Sequence, residues 1–482
     1  MVHLGPKPPQ HRKGSLHDVP EALLKELEQL ESVFNVSAET LRKITDHFVL
    51  ELEKGLSKKG GNIPMIPGWV LDFPTGKETG DYLAIDLGGT NLRVVLVKLG
   101  GNRDFDTTQS KYPLPATMRT AKSEELWDFI AGCLKKFVED EYPEGVTEPL
   151  PLGFTFSYPA SQSSINEGFL QRWTKGFDID GVEGRDVVPM LQEAIKKENV
   201  PIEVVALIND TTGTLVASAY TDPETKMGLI FGTGCNGAYY DVCGEIPKLE
   251  GQFHGDVAGE SLMAINCEYG AFDNELAVLP RSKFDHQIDA ESPRPGQQAF
   301  EKMISGYYLG EVLRLALLDL SAKGIFFKDQ DLSKLNQPFI LDTSFPARIE
   351  EDPYENLSDV QDLFQQELGI QTTDAERSVI RRLAEVIGER SARLSVCGIA
   401  AICKKRGYKT AHAAADGSVF NKYPGFKERA AKGLRDIFQW ETKEDPIIIV
   451  PAEDGSGVGA AVIAALTEKR LREGKSVGAK KN

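Results

Sequence analysis

Little in this chain would tie it to a structural metal, a membrane or a nucleic acid. Its 482 residues hold only six cysteines and seven histidines. The cysteines (133, 235, 243, 267, 397 and 403) include no Cys-x-x-Cys pair. No zinc pattern arises, and reduced, buried thiols are the expected state. No apolar run is long enough to span a bilayer, and none reads as a secretory core. Positive charge is in deficit: 55 Lys and Arg against 72 Asp and Glu give a formal charge of −17. That balance argues against a general nucleic-acid or anionic-membrane surface. It does not exclude a phosphorylated small molecule, for which a few amides and local cations suffice. The P-loop is also missing. Gly474-Lys475-Ser476 resembles its end, but the glycine required at 469 is Lys469.

What the chain does have is glycine in two matched settings. Asp86-Leu87-Gly88-Gly89-Thr90-Asn91-Leu92-Arg93 separates the apolar runs 82–85 and 94–97. That reads as strand, glycine turn, strand. Adjacent glycines remove the Cβ atoms that would keep backbone amides from an anion. Thr90 and Asn91 add polar side chains, and Arg93 adds a positive charge. Asp86, at the strand's end, is placed to hold magnesium through water. Such a turn suits a triphosphate. The pattern returns at Gly232-Thr233-Gly234-Cys235-Asn236-Gly237, between Met227–Phe231 and Ala238–Tyr240. One glycine hairpin usually does no more than reverse the chain. Two, in different halves, suggest duplicated subdomains clamping one nucleotide.

The length suits two domains or two lobes of one enzyme. Residues 1–20 read as a flexible tail, within which Arg12-Lys13-Gly14-Ser15 resembles a basophilic kinase site. Leu23, Leu24, Leu27 and Leu30 keep helical spacing, and Ser37 is placed to cap a second helix. Gly60 to Gly68 reads as a loop. Strands are expected at 82–86, 93–98, 151–156, 203–208, 228–231 and 237–242, with helices between, an α/β pattern. The clearest helix has Ser123 as its cap, Glu124 and Glu125 in its first turn, and Leu126, Ile130, Leu134 and Phe137 along one face. Beyond about 256 the chain reads as more helical, including one long helix at 298–322. Ile447 to Val450 reads as a buried strand. Gly459, Ala460, Ala461, Ala464 and Ala465 give the following helix a small-residue face, suited to connecting lobes. Lys469 to Asn482 is expected to fray.

Val204 to Thr214 is an apolar strand that ends in Asn209-Asp210 and then turns helical. Ligands of α/β sheets gather at the carboxyl ends of strands, where Asp210 would serve as a general base. An aspartate there equally suits a helix cap. Upstream, Gly153 to Ala160 and Leu170 to Phe177 mix apolar residues with hydroxyls, aromatics and an amine. Ser157, Thr174 and Lys175 could bond ring hydroxyls of a sugar. Downstream, Glu268 and Glu301 stand in mainly uncharged settings, and carboxylates are good receptors for vicinal hydroxyls.

Together these segments resemble the eukaryotic hexokinase family, most closely its fungal members. The resemblance runs from about 21 to about 470. It rests on 87–93, Phe-Ser-Tyr-Pro-Ala (156–160), Trp-Thr-Lys-Gly-Phe (173–177), Asn-Asp-Thr-Thr-Gly-Thr (209–214), Phe-Gly-Thr-Gly-Cys-Asn-Gly (231–237) and Asn-Cys-Glu-Tyr-Gly (266–270). It implies an α/β, two-lobed, actin-like ATPase (ribonuclease H-like) fold, each lobe a mixed five-stranded sheet flanked by helices. The implied divisions are a tail 1–20, a helical segment 21–74 on the large lobe, a small lobe 75–208 with the helix 458–470, a large lobe 209–457, and a tail 471–482. The implied activity is ATP-dependent phosphorylation of glucose, fructose and mannose at the 6-hydroxyl, the first step of glycolysis, with lobe closure on the sugar. By resemblance, Asp210 is the catalytic base and Lys175 lies near the sugar and the transferring phosphate. Ser157, Thr174, Lys175, Asn209, Asp210, Asn236, Glu268 and Glu301 match sugar contacts. Asp86, Leu87, Gly88, Gly89, Thr90, Asn91, Lys111 and Thr233 match positions near the ATP phosphates, with Arg93, Gly232 and Gly234 beside them. Gly306, Thr343, Asp416, Gly417, Ser418 and Val419 match the adenosine side. ATP and Mg²⁺ are the implied cofactors, with no dedicated protein metal site. A monomer–homodimer equilibrium, a cytoplasmic location with a nuclear fraction, phosphorylation of Ser15 and a glucose-signalling role through the tail are further implications.

Three other readings stand beside this one. A chaperone- or actin-like ATPase shares the phosphate turns but has no use for the sugar cluster. A sugar-responsive regulator would not need Asp210 and both turns intact. A glycoside hydrolase would need two carboxylates but no phosphate turns.

Overall fold

Two mixed sheets organise the molecule. The computed structural model describes residue 16, residues 18–174 and residues 176–480. Ser15, Lys175 and most of the expected tail 1–20 lie outside those residues.

The first sheet has the order β4-β3-β2-β5-β8. Its strands are β2 (Thr79–Leu87), β3 (Asn91–Gly101), β4 (Asp104–Pro113), β5 (Leu150–Thr155) and β8 (Ile202–Ile208). The pairs β2/β3 and β3/β4 are antiparallel, while β2/β5 and β5/β8 are parallel. The second sheet has the order β1-β11-β10-β9-β12-β13. Its strands are β1 (Ile66–Pro67), β9 (Thr225–Phe231), β10 (Cys235–Val242), β11 (Leu262–Asn266), β12 (Ala411–Asp416) and β13 (Ile447–Pro451). Here β9/β10, β10/β11 and β1/β11 are antiparallel, and β9/β12 and β12/β13 parallel. A short hairpin joins β6 (Ala160–Ser161) to β7 (Phe169–Leu170). Leaving β1 aside, the sheets share one plan. A hairpin with a glycine turn (β2–β3, β9–β10) carries a third antiparallel strand on one side and two parallel strands on the other.

The second sheet therefore has six strands, not five. Ile66–Pro67, read as loop, pairs with Ile265 and Asn266. Three longer strands also went unforeseen. β4 is polar and mostly exposed, because it is an edge paired only along β3. β12 is alanine-rich, a weak strand signal, and forms because burial between β9 and β13 overrides propensity. β11 lies in a stretch read as helical.

The helices Glu21–Phe34 and Ala38–Ser57 pack on the long helix Asp374–Arg406. Ser37 caps the second, its Oγ accepting Thr40 N–H at 3.1 Å. Ser123 is not a cap. It opens the helix Ser123–Glu141 after Lys122, and its Oγ accepts Trp127 Nε1–H at 3.0 Å. The single helix expected over 298–322 is two, Ala299–Ile304 and Gly306–Ala322. Ser305 between them is extended. The amides of Gly306 and Tyr307 bond Gly232 O (2.9 Å) and Thr233 O (3.4 Å) instead of continuing the helical ladder. The C-terminal segment does not fray as expected. Its helix Ala460–Arg472 packs on β2, β5 and β8, and Val477 to Lys480 are tied by backbone bonds to Ser163, Ile165 and Gln252. At the other end Val19 is buried and Leu16 packs on the core, so ordered structure begins within the segment read as tail.

Apolar residues form two clusters. One lies between a face of the first sheet and the helices Ser123–Glu141 and Val187–Lys197. The larger runs from that sheet's other face, through the C-terminal helix, into the second sheet and its helical layer. Between the sheets, the helix Asp210–Thr221 crosses the wide helical turn Gly455–Gly459 at backbone contact distance. A Cβ on Gly213 would lie 2.2 Å from Gly455 O, and one on Gly459 would lie 2.2 Å from Gly213 O. Only glycine permits that approach.

Candidate active site

The carboxyl edge of the first sheet sets the floor. Asp86 on β2 pairs with Thr155 on β5, and Thr155 with Ile208 on β8. Phe156 N–H extends this register by bonding Ile208 O at 2.9 Å. Ser157 and Asn209 therefore leave the sheet side by side, both half-buried. Asp210 begins the next helix. Asn209 caps it, its Oδ1 accepting Thr211 N–H at 2.8 Å. The cap role weighed for Asp210 thus belongs to its neighbour, and the Asp210 carboxylate accepts from Thr211 Oγ1 at 3.1 Å. Its backbone is fixed at the interlobe crossing, where Thr214 Oγ1 bonds Asp210 O at 3.0 Å.

The second sheet supplies a polar wall. Asn236 Nδ2 donates to Asn266 Oδ1 (2.8 Å) and Glu268 Oε1 (2.9 Å), and its Oδ1 accepts Glu268 N–H (2.9 Å). Asn266 Nδ2 donates to the same Glu268 oxygen at 2.9 Å. Glu268 sits at φ 56, a left-handed backbone held by these bonds. Burial, reinforced by the negative charges of Asp210 and Glu301, holds its carboxyl above the ordinary glutamate value. Glu268 therefore feels both of the other carboxylates. Glu301 Oε2 accepts Cys235 N–H at 3.0 Å, and burial raises its pKa too. Gly234 makes room for it, since a Cβ there would sit 2.6 Å from that oxygen. Thr174 is half-buried, and its carbonyl accepts Phe177 N–H at 3.1 Å. Trp173 and Phe177 stack beneath, against Tyr158.

The first glycine turn is closed by Gly88 N–H to Asn91 O at 3.0 Å. Leu87 is fully buried, so only its backbone borders the turn. Thr90 and Asn91 are exposed, with Asn91 Nδ2 on Thr90 Oγ1 at 2.9 Å. Arg93 is less available than its charge suggests. It forks onto Asp454, Nη1 to Oδ2 and Nη2 to Oδ1, both at 2.7 Å, and lies 3.9 Å from Asp86. Lys111 is exposed on β4, across the register from Arg93.

The second turn gathers the residues assigned to the adenosine side. Gly232 N–H bonds Gly234 O at 3.0 Å, and Gly306 N–H bonds Gly232 O. Gly417, at φ 114, packs against Phe231 and Gly232, with Ser418 alongside. Thr343 and Val419 close on Gly306, where a Cβ would meet both at under 3.0 Å. Asp416 is exposed, its Oδ1 bonding Gly417 N–H and Asn421 Nδ2, each at 2.7 Å. Thr233 borders the same turn through its carbonyl. Lys175 lies outside the described residues.

Two contributors escaped the sequence reading. Asn266 fixes Glu268 and Asn236; its place at the end of an apolar stretch two residues before Glu268 was the available signal. Gln298 opens the helix of Glu301 at φ 55, and its buried Oε1 has no protein partner among the described residues. A Cβ on Gly270 would lie 3.2 Å from it. The pair Gln297-Gln298 before an apolar run was the only hint.

Two family models, both described as hexokinase, match residues 26–220 and 226–466. The hexokinase of Schwanniomyces occidentalis is 81% identical over 474 residues, covering 98% of this chain and 99% of that protein. Hexokinase-2 of Saccharomyces cerevisiae is 70% identical over 482 residues, 99% of each. Among solved structures, a hexokinase from Schistosoma mansoni complexed with glucose is 33% identical with a TM-score of 0.80, covering 92% of this chain and 99% of that one. The two-sheet plan is thus the actin-like ATPase fold of those enzymes. Since both halves match and the relatives extend nearly end to end, this chain belongs to the hexokinase family and is an enzyme of that kind.

Proposed function

We propose that the protein transfers the γ-phosphoryl group of ATP to the 6-hydroxyl of a hexose: glucose, fructose or mannose. The observation that carries this reading is the convergence of Asp210, Glu268 and Glu301, with the Asp210 charge raising the Glu268 pKa. Three acceptors in one crevice suit a polyhydroxylated ring, and Asp210 stands at the carboxyl edge of the same sheet as the first phosphate turn. The glucose complex of the Schistosoma mansoni relative supports the same class of substrate.

Glu268 and Glu301 accept hydrogen bonds from ring hydroxyls, and Asn236, Asn209, Ser157 and Thr174 complete the set. This orients the 6-hydroxyl toward Asp210. The O6–phosphorus bond forms as the bond from γ-phosphorus to the β–γ bridging oxygen breaks. ADP leaves, and the hydroxyl proton passes to Asp210. Phosphoryl transfer of this kind depends mainly on alignment and charge stabilisation. Amides of the two glycine turns supply part of the latter, with Lys175 and Thr233. The residues fit a magnesium ion carried by the nucleotide: Asp86, half-buried beside the first turn, would hold it. When bound, the ion neutralises phosphate charge. Water competes with the sugar for ATP, so closure of the two sheets about the Gly213–Gly455 crossing completes the reading. A radius of gyration that shrinks on adding glucose is expected from small-angle scattering.

The deciding experiment follows ADP release with and without hexose. ADP formed in step with hexose phosphate, and nearly absent without sugar, is expected. Hydrolysis indifferent to sugar would turn the reading toward a plain ATPase.

A further inference from the structure

Arg119 lies in neither glycine turn and has no part in the chemistry above, yet it holds two of the loops that chemistry uses. It sits half-buried in the helical turn Ala116–Thr120. Its Nε and Nη2 both donate to Gly89 O, at 3.2 and 2.9 Å. Gly89 is in the middle of the first glycine turn. Arg119's own carbonyl accepts Asp178 N–H at 2.8 Å. Asp178 directly follows the turn that Phe177 N–H closes on Thr174 O. Gly176 lies against the guanidinium: a Cβ on it would sit 3.7 Å from Nη1. One residue thus ties the phosphate turn by its side chain and the sugar loop by its backbone.

The forked bond has a directional consequence. A trans peptide is planar, and its C=O and N–H point opposite ways. Holding Gly89 O therefore fixes the direction of the Thr90 amide, which points away from Arg119. A guanidinium fork on one carbonyl also leaves less angular freedom than a single bond. Any shift of the segment 176–178 is passed to Arg119, and from it to the aim of the Thr90 amide.

We infer that Arg119 is a positioning residue that couples hexose occupancy to nucleotide affinity. This rests on the proposed function, in which Thr174 faces the sugar and residues 88–91 face the phosphates. Coupling is reciprocal, so each ligand tightens the other by the same factor.

The test is calorimetry on the full chain with magnesium and β,γ-imido-ATP, with and without saturating glucose, for wild type, Arg119→Lys and Arg119→Met. Glucose is expected to tighten the analogue at least about fivefold in wild type, the low end of ordinary allosteric coupling. In Arg119→Met that factor falls below about twofold, while affinity for glucose alone and for the analogue alone stays within about threefold of wild type. Arg119→Lys keeps the charge but not the fork, and falls between. It carries the test if Arg119→Met melts early. An unchanged coupling factor in both variants overturns the inference. So does equal weakening of the analogue with and without glucose, which would make Arg119 a direct phosphate contact or a plain support. A wild type that binds neither ligand would instead overturn the functional reading.

Discussion

The turn at 88–91 and the turn at 232–234 join equivalent strands of two sheets, yet they are held in different ways. The first is braced by side chains as well as by backbone, Leu114 N–H bonding Thr90 O at 2.9 Å. Arg119 bonds Gly89 O, Thr90 and Asn91 are exposed, and Arg93 is tied to Asp454. The second is braced mainly by backbone packed around it. Gly306 bonds Gly232, Gly417 packs on Phe231 and Gly232, and Glu301 fills the space beside Gly234. The same strand–glycine–strand grammar therefore yields one adjustable turn and one embedded turn. The adjustable turn belongs to the sheet whose edge leads into Ser157 and Asn209. The embedded turn belongs to the sheet that carries the carboxylates Glu268 and Glu301.

The sharpest separation comes from Asp210, which belongs to neither turn. Asp210→Ala is expected to lower turnover at least about 10²–10⁴-fold, the usual range for loss of a general base. Affinity for glucose stays within about tenfold, because the change removes a transition-state role and leaves most ground-state contacts. Calorimetry beside a coupled assay checks both; near-normal turnover would remove Asp210 from the mechanism. Next in size is Gly417→Ala. Its φ is 114, and its Cβ would lie 2.4 Å from Phe231 O. Strain and overpacking predict a loss of about 2–5 kcal/mol, read from denaturant melts. Gly88→Ala should differ in kind. Its nearest contact is Asn91 O at 3.2 Å, so under about 1 kcal/mol of stability is lost and the KM for ATP rises instead. Equal destabilisation by the two alanines would erase the distinction between the turns.

The smallest effect concerns Glu268, whose pKa is raised by burial and by negative neighbours. As pH rises, the unfolded chain loses this proton before the folded one does. Ionisation therefore costs folded stability above the ordinary glutamate value, and the cost is absent below it. Glu268→Gln should raise the Tm by about 1–3 °C at pH 7 and lose that gain near pH 4, while weakening glucose binding. A gain that grows toward low pH would contradict this electrostatic account.

The parts of the molecule legible in sequence were those carried by local pattern. Apolar runs predicted the buried strands β2, β3, β5, β8, β9, β10 and β13, and glycine spacing predicted both turns. Asp210, Glu268 and Glu301 stood out because charge is conspicuous beside apolar segments. What escaped depends on partners distant in sequence. The helix breaks at Ser305 because Gly232 O takes the Gly306 amide. β12 is a strand because two neighbours bury its alanines. Asn266, Gln298, Arg119 and Asp454 look like ordinary polar residues until folding brings them to Glu268, Gly270, Gly89 and Arg93. Arg93 shows the converse, a charge whose sequence neighbours suggest phosphate but whose fork is occupied by a residue 361 positions away.

The most direct test of the central claim is phosphorus NMR of the purified enzyme given MgATP with either glucose or 6-deoxyglucose. With glucose, one sugar 6-phosphate should appear for each ADP; with 6-deoxyglucose, no sugar phosphate should form. A phosphorylated 6-deoxyglucose, or ADP without sugar phosphate in the glucose sample, would contradict transfer to the 6-hydroxyl beside Asp210.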